Sequence, residues 1–116
     1  MGKKERVPAT KYQVTLSENA IENIDELIDY IAIKNQQPLN SIRVGEAIFE
    51  RILLIGITPF QFKECELIPT QSKMYRQTLC LSWYIIYKVI SAQIIILGVI
   101  HKSQKPSKRS GLRKNN

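Results

Sequence analysis

The sequence predicts an α+β domain: one strand, two helices folded as a hairpin, then three consecutive strands, with the helices on one face of a small antiparallel sheet. Three observations predict it. KYQVTL (residues 11–16) alternates apolar and polar side chains, the period of a half-buried strand. Apolar residues then recur at steps of three and four over 18–34, and apolar side chains again crowd the stretch after Pro38. Finally, WYIIYKVI (83–90) and QIIILGVIH (93–101) are two apolar runs joined by a short polar break, which reads as a β-hairpin.

Each element has local chemistry behind it. Tyr12, Val14 and Leu16 share the buried face of the first strand. Ser17 follows as a helix N-cap, with Glu18 and Glu22 near the first turn, where the helix dipole favours anions. Ala20, Ile21, Ile24, Leu27, Ile28, Ile31 and Ala32 form the apolar stripe of a helix expected over 18–34. Its acidic residues Glu22, Asp25, Glu26 and Asp29 read as a solvated face, because nothing catalytic accompanies them. NQQPLN (35–40) breaks the chain, and Pro38 suits the start of a second helix. Ile42, Phe49, Ile52, Leu53 and Ile55, with Ala47 and Ile48, are expected as one core-facing stripe. Gly45 permits close approach of a neighbour, and Gly56 and Pro59 end the helix. Residues 58–73 read as a loop with one short irregular strand, and MYRQTLC (74–80) as the first strand of the closing meander.

Length argues for one domain, expected at 11–102 between a flexible basic arm at 1–10 and a flexible basic tail at 103–116. The first 15 residues contain no apolar run behind their basic start, so no secretory signal is expected. The run from Tyr84 to His101 is interrupted by Lys88 and by Ser91, Ala92 and Gln93, whereas a membrane span needs about 20 nearly unbroken apolar residues. Cys65 and Cys80 lack metal spacing and read as reduced core thiols of a cytoplasmic protein. Charge is uneven. Residues 68–116 carry nine bases and no acid, while residues 1–67 hold all ten acids against eight bases. A basic half of this kind suits a polyanionic or acidic partner, although five of the nine bases lie at 105–114, where they also serve solubility.

No phosphate-binding glycine loop, metal cluster or nucleophile elbow is present, and no cofactor or metal is expected. Strand alternation is the remaining guide. Ile85, Tyr87 and Val89 share one face of 83–90; Tyr84, Ile86, Lys88 and Ile90 share the other. An unpaired buried lysine is costly, so the Lys88 face is expected to be open, away from the helices. Arg76, His101 and Lys102 are expected to join Tyr84 and Lys88 there, as a basic and aromatic surface suited to nucleic acid or to an acidic protein.

The element order, together with YQVTLSENAIENIDELIDYIA, Pro59, the YR pair at 75–76, WYIIYKV and IIILGVIHKSQKP, resembles the RelE/ParE superfamily of toxins from bacterial type II toxin–antitoxin pairs, over residues 11–106. The resemblance implies a β-α-α-β-β-β fold with the first strand inserted into an antiparallel sheet. It also implies a cognate antitoxin that wraps and neutralises the toxin. RelE-like relatives cut mRNA on the ribosome; ParE-like relatives poison DNA gyrase. On a RelE-like reading the catalytic set is Arg76, Tyr84 and His101, with Arg76, Lys73 and Lys102 as phosphate-stabilising cations. Tyr84, however, stands where those relatives usually carry arginine. Aromatic-x-Ile-x-Tyr-basic-Val followed by Val-Ile-His resembles the ParE branch, whose members inhibit by binding and are not enzymes. Lys73, Arg76, Lys88 and Lys102 are then candidate target contacts. A small basic nucleic-acid-binding module is the alternative from a different class.

Overall fold

A computed structural model describes residues 12–66, 68 and 72–104; the expected arm at 1–10 and the tail from 105 onward lie outside them. Strand β1 (Gln13–Leu16) runs directly into helix α1 (Glu18–Asp29), and the Ser17 hydroxyl caps the helix by accepting the Ala20 N–H at 3.1 Å. The helix expected to continue to residue 34 changes character at Tyr30. Tyr30–Lys34 is a π-helical turn, closed by the Asn35 N–H donating to the Tyr30 carbonyl at 3.0 Å. Gln36, in the left-handed region at φ 54°, completes the stop.

Helix α2 (Pro38–Ile57) begins at its proline and packs Val44, Ile48, Ile52 and Ile55 into the core. The single stripe expected here is in fact two. Ile42, Phe49 and Leu53 lie about a third of a turn away from the buried set and are 58%, 47% and 70% exposed. Gly45 brings the helices close, since a Cβ there would stand 3.3 Å from Ile28 Cδ1.

Strands β2 (Tyr75–Cys80), β3 (Trp83–Ile90) and β4 (Gln93–His101) form the expected antiparallel meander, and the sheet order is β1-β4-β3-β2. Its two-residue turns each use one left-handed residue, Leu81 at φ 56° and Ser91 at φ 53°. The implied insertion of the first strand is corrected. β1 stands at an edge and pairs in parallel with β4, Val14 opposite Ile94, so the sheet is mixed. Tight turns already join β4 to β3 and β3 to β2, and the outer edge of β2 is taken by the segment 63–65, where Glu64 bridges Arg76. Only the outer edge of β4 is left for β1, and the long helical connection allows the parallel pairing seen there.

β4 carries a bulge. Ile86 opposes Gly98 and Tyr87 opposes Ile96, leaving Leu97 as the extra residue. Beyond Ile96, β4 outruns β1, and the start of α1 takes over the edge. The Ser17 N–H donates to the Ile96 carbonyl at 2.9 Å. Ser17 Oγ and Asn19 Nδ2 donate to the Leu97 carbonyl at 3.2 and 2.9 Å, and Asn23 Oδ1 accepts the Val99 N–H at 2.9 Å.

The sheet separates two cores. Ile85, Tyr87, Val89, Ile94, Ile96 and Val99 meet the helices. On the far side Ile86, Leu97, Ile100 and Tyr75 pack beneath Cys65 and Ile68. The far face is therefore covered, not open. Cys65 and Cys80 are both buried and not joined in a disulfide, one in each core, and burial pushes the Cys80 thiol up from its ordinary value.

Candidate functional site

The expected basic and aromatic surface divides between the two faces of the sheet. Lys88 pairs with Tyr75 of β2 and is only 4% exposed, so it marks a buried position on the far side of the sheet. Desolvation lowers its amine below the ordinary lysine value, and no described residue forms an ion pair or hydrogen bond with it. Tyr84 is half-buried against the same far-side core.

Arg76 is opposite Tyr87 and so lies on the helix side. Its guanidinium stacks 4.7 Å from the Phe60 ring centroid and donates to the Phe62 and Phe60 carbonyls at 2.8 and 3.3 Å. Nearby, the buried Tyr87 hydroxyl donates to the Pro59 carbonyl at 2.5 Å. Both side chains thereby fasten the chain leaving α2 onto the sheet. Burial raises the Tyr87 phenol, and the Arg76 charge opposes that rise.

His101 also lies on the helix side, because the bulge at Leu97 reverses the alternation of β4. It stands opposite Trp83, whose ring meets the imidazole edge-on at 5.5 Å. The Ser103 N–H donates to His101 Nδ1 at 3.1 Å, so the neutral ring carries its proton on Nε2. Arg76 pairs with position 87 and His101 with position 83 of β3. Four residues of strand, about 13 Å, separate those positions. Tyr84 faces the other way from both. Lys73 and Lys102 are exposed, Lys73 at φ 56° in the chain entering β2 and Lys102 just beyond β4. The proposed RNA-cleaving set is thus not assembled around any one point. Among the described residues no group of three or more His, Cys, Asp or Glu could hold a metal ion.

Two concave features took the place of the expected surface. One is a shallow groove of about 600 Å³ on the outside of the helical hairpin, lined by Ile28, Ile42, Gly45, Phe49 and Leu53 with Glu46 and Glu50 at its side. Its sequence signal was available: α2 holds more apolar residues than one buried stripe can use. The other is a cavity of about 570 Å³ between the end of α1, the π-helical turn and the Trp83–His101 pair. It could not be read from the sequence, because both the π-turn and the reversed side of His101 come from backbone irregularities. No helix among the described residues is long and apolar enough to cross a membrane, and the run from Tyr84 to His101 is the β3–β4 hairpin.

Comparison with known proteins agrees with this geometry. A search of curated proteins gave no significant match. Among solved structures, the chain is similar to one described as the chromosomal ParDE toxin–antitoxin system from P. aeruginosa, with a TM-score of 0.66 at 15% identity. The match covers 80% of this chain and 98% of that one, and at this identity it establishes the shared fold. The family model of the ParE toxin of the type II toxin–antitoxin system parDE matches residues 14–106. The chain therefore belongs to the ParE toxin family and is the toxin half of a type II pair whose other half is a cognate antitoxin.

Proposed function

We propose that this toxin arrests growth in the bacterial cytoplasm by binding DNA gyrase, and that it does not cut RNA. The observation that carries the reading is the dispersal of Arg76, Tyr84 and His101. RNA cleavage needs a proton-transfer group and phosphate-stabilising cations converging on one phosphate. Here the Arg76 guanidinium is committed to two backbone carbonyls, and Tyr84 and His101 lie on opposite faces. A binding inhibitor needs no such convergence. The exposed Lys73 and Lys102 remain available as contacts to an anionic target. The antitoxin fits the groove on the helical hairpin, where Ile42, Phe49 and Leu53 form an exposed apolar stripe at the spacing an amphipathic segment would cover.

The deciding experiment incubates the purified chain with gyrase and supercoiled DNA beside translating ribosomes. Gyrase trapped on cleaved DNA, with intact mRNA, is the expected result. Cleaved mRNA with unaffected gyrase would overturn the proposal in favour of the RelE-like reading.

A further inference from the structure

The cavity beside His101 has no role in the proposed gyrase inhibition or in the antitoxin groove, yet its walls are chemically selective. Tyr30, 58% exposed, stands on one wall at the start of the π-helical turn, and Trp83 stands on another, held edge-on to His101 at 5.5 Å. Glu26 adds a carboxylate that no described residue pairs. Asn35 and Asn40 add amide oxygens; the Asn40 amide nitrogen already donates to Gln37 at 3.1 Å. No lysine or arginine lines the cavity among the described residues, although the chain is strongly basic.

We infer that this cavity is a receptor for an arginine side chain presented by a partner protein. Local charge is the argument. An uncompensated carboxylate beside aromatic faces attracts a cation and repels phosphate, which excludes a nucleotide as the favoured occupant. Arginine suits it better than lysine, because a planar guanidinium can stack on an aromatic ring while donating two parallel bonds to one carboxylate. The π-turn fits such a role, since single π-turns within helices are frequent at functional sites.

The test titrates the full-length chain with Nα-acetyl-arginine amide while following the indole N–H resonance of its only tryptophan, Trp83. A saturable shift at about millimolar concentration is expected, an affinity ordinary for one side chain alone. The neutral isostere Nα-acetyl-citrulline amide should bind at least about tenfold more weakly, the loss of about 1.4 kcal/mol that removing a charged contact brings. Glu26→Gln should weaken the arginine probe similarly, while Glu22→Gln, which does not line the cavity, leaves it unchanged. Equal binding of the citrulline probe, or no saturable shift, overturns the assignment. So does tighter binding of adenosine monophosphate, which would make the cavity a nucleotide site. If binding appears only after Lys105, Lys108, Arg109, Arg113 and Lys114 are all changed to Gln, the occupant is the chain's own tail and the partner assignment fails.

Discussion

The two faces of the sheet are buried by different means. On one face two helices lay down long apolar stripes, and Ile48, Ile55, Ile85 and Ile96 are wholly enclosed between them and the strands. On the other, an irregular segment brings Cys65 and Ile68 over Ile86, Leu97 and Ile100, and Lys88 is buried on the same face. A cover made of regular elements has little freedom to collapse around a defect. A cover made of a loop can shift, so equal deletions on the two faces should not cost the same.

The helix side should show the larger effect. Ile85→Ala is expected to cost about 4 kcal/mol, near the upper part of the range for deleting a buried isoleucine, and Leu97→Ala under the loop about 2.5 kcal/mol. Denaturant midpoints measured with a common slope test both. Equal losses would mean that the loop is as rigid a cover as the helices, and the contrast would be gone. A smaller loss, about 1–2 kcal/mol, is expected from Asn23→Ala, which strands the Val99 N–H at the bulge where β4 has outrun β1. Hydrogen exchange at Val99 should accelerate more than exchange at Ile94, which lies within the paired part of the ladder.

The same contrast explains what could be read in advance. Period-2 and period-3.6 patterns gave the helix-side core correctly through Ile24, Ile48, Ile85 and Tyr87, because each is regular over several residues. Ser17 and Pro38 marked the helix starts by local chemistry that tertiary structure left intact. The site was less legible. Lys88 was assigned to an open face because nothing in 58–73 announces a cover: the segment has no period. His101 was assigned to the wrong side because one extra residue, Leu97, reverses alternation for everything after it. Arg76 shared in that error. It lies opposite Tyr87, so its face follows from register, which alternation within a single strand cannot supply. Family membership survived these errors, since it rests on element order and residue pattern over most of the chain.

Tyr87 and Lys88 are neighbours in sequence on opposite faces, and they allow the subtlest comparison. Both are buried, and burial disfavours the charged form of each. The consequences for stability have opposite signs. In the unfolded chain Lys88 keeps its proton up to its ordinary value of 10.5, whereas in the fold it loses it at lower pH. Between those two values the unfolded chain binds more protons, so this group makes stability rise with pH. Tyr87 in the fold holds its proton above the ordinary value of 10.0, so the stability it contributes is complete below that pH and is lost as pH rises beyond it. Denaturation midpoints should therefore climb as pH approaches 10 from below and turn down above it. Lys88→Met should flatten the climb, because a methionine carries no titrating group. Tyr87→Phe should remove the downturn, leave the climb, and lose the bond to Pro59 at about 1 kcal/mol. If Lys88→Met leaves the climb as steep as before, Lys88 reaches water in the folded protein, and the loop is not the seal that the far-side core requires.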